Sequence, residues 1–94
     1  MAAWKKRLAK MLTDSSPTSY TYDEAVSVLE HLDFALAPLG GGSHRRWRRK
    51  LPSGAVVVIG LVDKGAGTLK AYLIRDMVAQ LNAHGLIPPD LAQE

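Results

Sequence analysis

The spacing of apolar residues predicts helices at three places along the chain. Near the N-terminus, apolar side chains at Trp4, Leu8, Met11 and Leu12 fall on one face of a short helix over residues 4–12. Lysine and arginine occupy most of its other positions. Residues 14–19 have the composition of a turn or linker.

The second helix has a strong start signal. Thr21-Tyr22-Asp23-Glu24 has the form of a capping box, with Thr21 as the N-cap and Glu24 at the N3 position. An apolar stripe of Ala25, Val28, Leu29 and Leu32 follows and predicts the buried face of this helix. The third helix is predicted to begin between residues 68 and 72, to bury Ile74, Met77, Val78 and Leu81, and to end at Gly85.

Between the second and third helices the pattern changes to that of strands. Residues 34–38 predict a short strand closed by Pro38, and residues 43–51 and 55–61 predict two strands joined by a turn at residues 52–54. We therefore expect an α+β fold with the order α-β-β-β-α, preceded by a short N-terminal helix. Two helices would cover one face of a three-stranded antiparallel sheet and leave the other face open.

The length and composition exclude several classes of protein. The chain has 94 residues, room for one small domain, and it has no cysteine, which excludes disulfides, a thiolate nucleophile and a cysteine zinc site. The longest apolar run, residues 55–62, is far shorter than the ~20 residues of a membrane helix. We expect a cytoplasmic protein divided into a basic N-terminal segment (1–20), a domain (21–87) and a tail (88–94).

The charge is concentrated in the middle of the chain. The net charge is only +3, but residues 43–75 carry eight lysines and arginines against one acid, whereas residues 21–42 carry four acids and no lysine or arginine. Such a basic block is the electrostatic signature of a polyanionic partner, most often a nucleic acid. A solvated basic strand with no such partner gives the same pattern.

The strand over residues 43–51 carries most of this charge. Alternation divides its side chains between the two faces of the sheet, and the large apolar residues Trp47 and Leu51 share one of them. That face is predicted to lie beneath the helices, with Arg45 and Arg49 near its edges. The other face would present one imidazole and three cations: His44, Arg46, Arg48 and Lys50.

This arrangement has the parts needed to cleave RNA. The 2′-hydroxyl of RNA is an internal nucleophile, so cleavage needs proton transfer and stabilisation of the phosphorane but no metal. An imidazole such as that of His44 can transfer the proton, and the three cations can stabilise the charge. A histidine in a basic strand is, however, more often an ordinary surface residue. His31 and His84 are interpreted as structural residues of their helices.

A run of motifs resembles the HicA toxins of prokaryotic toxin–antitoxin pairs. The resemblance covers residues 21–87 and rests on Thr21-Tyr22-Asp23-Glu24, the strand at Phe34, Gly41-Gly42-Ser43-His44 at the head of a basic strand, and Leu69-Lys70 before the last helix. It implies a fold like a double-stranded-RNA-binding domain and a ribonuclease that cleaves messenger RNA.

The resemblance also implies roles for particular residues. It makes His44 the catalytic residue, and it implies a HicB-type antitoxin protein that binds the toxin and covers the site. With the basic strand it assigns RNA binding to Gly42, Ser43, Arg46, Arg48, Lys50 and Lys70. No metal, small-molecule cofactor or membrane is expected to take part.

Three positions depart from the family pattern. Asp33 stands where many relatives have glycine, and Ala71 follows Lys70 where proline is frequent. The loop containing Ala66 lacks a histidine that some relatives carry, so His44 would work with an arginine or with solvent as proton donor. The alternative function is a non-catalytic module that binds RNA, or docks a partner protein, through the same basic face.

Overall fold

The computed structural model describes residues 2–38, 42–63 and 67–91. Within these residues the chain forms three helices, one antiparallel sheet of three strands in the order β1-β2-β3, and a terminal 3-10 turn. The elements are α1 Ala3–Thr13, α2 Tyr22–His31, β1 Ala35–Leu36, β2 His44–Lys50, β3 Val56–Val62, α3 Ala71–Ala83 and the 3-10 turn Pro89–Leu91. The predicted α+β fold, with a helix ahead of an α-β-β-β-α unit, is confirmed.

A capping box starts α2, as its sequence predicts. The Thr21 hydroxyl accepts a hydrogen bond from the Glu24 backbone N–H (3.2 Å), and the Glu24 carboxylate accepts one from the Thr21 backbone N–H (2.9 Å). The Arg7 guanidinium donates to the other oxygen of that carboxylate (3.0 Å) and so connects α1 to α2. These contacts, the Thr21 backbone hydrogen bond first among them, lower the pKa of Glu24.

The end of α2 explains why aspartate is tolerated at position 33. Asp33 has φ +66°, the left-handed conformation that closes a helix, and it is the one non-glycine residue with positive φ among those described. The Asp33 N–H bonds to the Glu30 carbonyl (3.1 Å), and the Phe34 N–H bonds to the Leu29 carbonyl (3.0 Å). Phe34 is therefore turned into the core.

The sheet is built on a long hairpin. β2 and β3 pair from His44 opposite Val62 to Lys50 opposite Val56, and Gly54, with φ +94°, provides the turn between them. β1 is shorter than the strand predicted over residues 34–38. Phe34 leaves the strand to fill the core, and Pro38 has no N–H to donate.

One hydrophobic core includes all three helices and the inner face of the sheet. Trp47, Ile59 and Leu61 pack beneath α2 and α3, and Leu8 and Met11 of α1 belong to the same cluster. Helix α1 therefore contributes directly to the same core as residues of the predicted domain segment, 21–87. The predicted stripe of α3 is buried apart from Val78, which is half-buried.

The connection between α1 and α2 is held by a buried tyrosine. The Tyr20 hydroxyl donates to the Asp14 carboxylate (3.0 Å), whose other oxygen accepts the Ser16 N–H (3.0 Å). Burial, reinforced by the Asp14 contact, raises the pKa of Tyr20 to about 12.

None of the helices described has the length and apolar character needed to cross a membrane.

We expect Asp33→Gly to stabilise the fold. A left-handed residue with a side chain costs about 1–2 kcal/mol, whereas glycine adds about 0.5–1 kcal/mol of unfolded-state entropy, so the net gain is about 0.5 kcal/mol. Urea unfolding of the wild type and of Asp33→Gly measures this difference in unfolding free energy. Gly85→Ala, at the matching position after α3 (φ +67°), should lose about 1 kcal/mol. A loss of stability in Asp33→Gly would contradict this account.

Glu24→Gln should change how stability depends on pH. Because folding lowers the pKa of Glu24 below its ordinary value of 4.5, the stability that this carboxylate contributes is complete above that pH. It is lost as the pH falls through the lowered value. The difference in unfolding free energy between wild type and Glu24→Gln should therefore shrink below about pH 4.5. Glu30→Gln, at an exposed position of α2, is the control; a constant difference refutes the prediction.

Candidate nucleic-acid interface

The pleat of β2 separates its side chains as the sequence predicts. Trp47 is buried beneath the helices, and Arg45 and Arg49, on the same side, are half-buried. The side chains of the opposite set are all exposed on the face that the helices leave open. We call this set the basic row: His44, Arg46, Arg48 and Lys50.

The two arginines on the inner side have structural partners. The Arg45 guanidinium donates to the Gly42 carbonyl (2.7 Å) and to the His44 carbonyl (3.1 Å), which holds the turn in front of β2. Arg49 donates to the Leu32 carbonyl at the end of α2 (3.0 Å). Both side chains therefore satisfy backbone carbonyls that would otherwise depend on water.

The cations of the basic row are not used in this way. Within the part of the chain that the structure describes, no hydrogen bond or ion pair involves the side chain of Arg46, Arg48 or Lys50. Neither β2 nor β3 contains an acidic residue. The open face therefore carries several positive charges with no nearby carboxylate on its two long strands, a surface that attracts anions.

The neighbouring strand adds a feature that the sequence analysis missed. Arg48 lies opposite Val58 and Lys50 opposite Val56, and these valines are 43% and 52% exposed. Arg46 lies opposite Gly60, where an added Cβ would meet nothing within 4 Å. The open face is therefore apolar as well as basic. The sequence contained the signal for this apolar surface. Side chains alternate between the two faces along β3, so a run of consecutive valines must place some of them on the open face.

The His44 end of the row opens into a cavity of about 200 Å³. Its lining residues come from the starts of α2, β2 and α3, the end of β3 and the segment before α3: Tyr22, Ser43, His44, Val62, Gly67, Thr68, Leu69, Lys70, Tyr72 and Leu73. The segment is held against the start of α2 by a bridge between Thr21 and Thr68 and by the Leu69 N–H, which donates to the Tyr20 carbonyl (2.8 Å).

The predicted site residues thus fall into two groups. Ser43 and Lys70 line the cavity with His44, whereas the other cations extend along β2 to Lys50, six residues or about 20 Å from His44. Gly42 adopts φ +72° just before β2 and offers its carbonyl to Arg45. Residues 40, 41 and 64–66, and with them most of the glycine triplet and Ala66, lie outside the described residues.

Two tyrosines of the cavity were not predicted as site residues. In the sequence analysis, Tyr22 is part of the capping-box motif, and position 72 is only the last of the positions at which the third helix is predicted to begin. Tyr72 lies outside the apolar stripe of Ile74, Met77 and Leu81, and this was the available signal that it does not belong to the core. It is 60% exposed in the structure.

The other two histidines lie elsewhere. His31 stacks on Trp4 with ring centroids 5.1 Å apart, and its Nδ1 lies 2.7 Å from the Ser27 carbonyl oxygen. His84 is the C-cap of α3, at the end opposite the cavity. His44 is therefore the one histidine of the three that lines the cavity.

Comparison of the chain with protein-family models, with curated proteins and with solved structures finds no match. The likeness to HicA toxins therefore stays a prediction that rests on the motifs quoted above.

Within residues 2–38, 42–63 and 67–91, no group of three or more histidines and carboxylates is placed to hold a metal ion.

Replacing Arg48 with threonine should stabilise the fold at low salt, whereas the same change at Arg49 should destabilise it. Like charges about 7 Å apart on one strand face repel each other, and threonine favours strands. We expect Arg48→Thr to gain about 0.5 kcal/mol in unfolding free energy, and less at 1 M salt because the repulsion is screened. Arg49→Thr removes the hydrogen bond to Leu32 and should cost about 1–2 kcal/mol. Destabilisation of equal size in both variants would contradict this distinction.

Proposed function

We propose that the protein is a metal-independent endoribonuclease that cleaves messenger RNA, the toxin of a HicA-type toxin–antitoxin pair. The observation that carries the proposal is the position of His44. It lines the cavity and stands at one end of a row of cations without intramolecular partners among the described residues. A proton-transfer group is thus set beside a surface that attracts phosphates.

The chemistry that we propose needs one imidazole. His44 accepts the proton of the 2′-hydroxyl while the 2′-oxygen attacks the adjacent phosphorus. The bond to the 5′-oxygen breaks, which leaves a 2′,3′-cyclic phosphate and a 5′-hydroxyl. Solvent supplies the proton for the leaving oxygen, because a guanidinium does not give up its proton in proteins. The candidates to stabilise the negative charge on the phosphorane are Lys70, which lines the cavity with His44, and Arg46, the next residue of the basic row.

The proposal also includes a protein partner and a cellular location. A HicB-type antitoxin would bind the open face and keep RNA from His44, and the pair would act in the cytoplasm, where messenger RNA is translated. The mixed character of the face supports a protein partner, since exposed Val56 and Val58 lie opposite two cations. Acidic and apolar side chains of a partner would complement both features.

The same valines favour a second candidate, a module that docks a partner or RNA without cleaving it. A surface made only for phosphates gains little from exposed valine. Under this alternative, His44 has no special role, and RNA binding depends on salt through the cations alone. Replacing a cation that binds one phosphate of single-stranded RNA would reduce the log–log salt slope by about 0.7.

His44→Ala should abolish the cleavage of RNA in the presence of EDTA. General acid–base catalysis by one group contributes about 10²–10⁴-fold to a rate, so the cleavage rate of His44→Ala should be at least about 100-fold below that of the wild type. RNA binding, measured by fluorescence anisotropy with an uncleavable 2′-O-methyl RNA, should change little. A gel assay with antitoxin-free protein measures the cleavage itself.

His84→Ala is the matched control, because it removes an exposed imidazole at the far end of α3. It should cleave at the wild-type rate. If neither the wild type nor His44→Ala cleaves but both bind RNA equally, the ribonuclease proposal fails and the docking module stands. Equal cleavage by both proteins would instead exclude His44 as the catalytic residue.

A further inference from the structure

The cavity beside His44 has a size and a position that suggest a role separate from phosphate binding by the basic row. Its volume of about 200 Å³ is many times the ~10–15 Å³ that one water needs. It is smaller than the ~300–1,000 Å³ of pockets that enclose a drug-sized ligand. It therefore suits one ring system, and it opens at the start of β2, beside His44, where the proposed proton transfer would take place.

The lining is unusual in its aromatic content. Two of the three tyrosines of the chain, Tyr22 and Tyr72, border this cavity. Tyr72 is 60% exposed, more than any other large hydrophobic side chain described, so the core does not account for it. Exposed aromatic rings beside cationic side chains are platforms on which unpaired bases stack.

The charges at the rim are compatible with a nucleotide. Lys70 and His44 both line the cavity, and none of its described lining residues is acidic. Among the described lining residues, a phosphate attached to a nucleoside in the cavity would meet only cationic or neutral groups. Ser43, at the same rim, adds a hydroxyl that can donate or accept a hydrogen bond.

We propose that this cavity takes the base of one unpaired nucleotide next to the scissile phosphate, with the base stacked on Tyr72 and its phosphate near Lys70. The inference rests on the proposed ribonuclease function and narrows its substrate to single-stranded RNA. Bases inside a duplex are already paired and stacked, so they reach the cavity only after a costly opening. The resemblance drawn from the sequence implies a fold like one that binds duplexes, but this site would select unpaired RNA.

The test measures binding apart from cleavage. Short single-stranded 2′-O-methyl RNA lacks the attacking hydroxyl, and a 2-aminopurine in it reports stacking through its fluorescence. Tyr72→Leu should weaken the binding of this RNA about 5- to 150-fold and remove the quenching of 2-aminopurine. Tyr72→Phe and Tyr72→Trp should keep both, because they keep a ring. A duplex of the same sequence should bind more weakly than the single strand.

Leu36→Thr is the control, since it removes exposed apolar surface from the edge strand β1 and should leave binding unchanged. Thermal unfolding verifies that each variant is folded. Wild-type affinity in Tyr72→Leu, or a duplex that binds as tightly as the single strand, overturns the inference even if His44 proves catalytic. Ring-dependent binding by a protein that cleaves no RNA supports the cavity as a nucleobase site and refutes only the ribonuclease proposal.

Discussion

Burial of Trp47 beneath the helices determines the position of every charged group on the open face. Side chains alternate along a strand, so a shift of one residue in β2 would bury the basic row and expose the indole. The indole N–H has no hydrogen-bond partner within the described residues, a cost of about 1–3 kcal/mol. Burial of the large ring offsets this cost, and the register of His44 opposite Val62 follows from it.

The arginines of β2 show two uses of one residue type. Arg45 and Arg49 turn toward backbone carbonyls at the start of β2 and the end of α2, where they contribute to the fold. Arg46 and Arg48 point outward, repel each other and have no such partner in the described structure. Like charges placed side by side without partners in the folded protein are a reason to expect a ligand for that charge. The proposed ligand is the RNA backbone.

The cavity depends on contacts between distant parts of the chain. Segment 67–70 is held by the bridge of Thr68 to Thr21, by the hydrogen bond from the Leu69 N–H to the Tyr20 carbonyl, and by burial of the Leu69 side chain in the core. The capping box at Thr21 and Glu24 orders the other side, and Arg7 connects that box to α1. The N-terminal helix thus supports, through α2, one wall of the site proposed for a nucleotide.

Local features of the sequence were enough to predict the helices, the hairpin and the outward face of β2. Capping boxes, helix-ending residues such as Asp33 and Gly85, and strand alternation act within a few residues, so they can be read without the fold. The meeting of Lys70 and Tyr72 with His44 could not be read in this way, because it depends on how α3 packs against β3. The pairing of Val56 and Val58 with cations depends likewise on the register of the hairpin, which only the packed sheet decides.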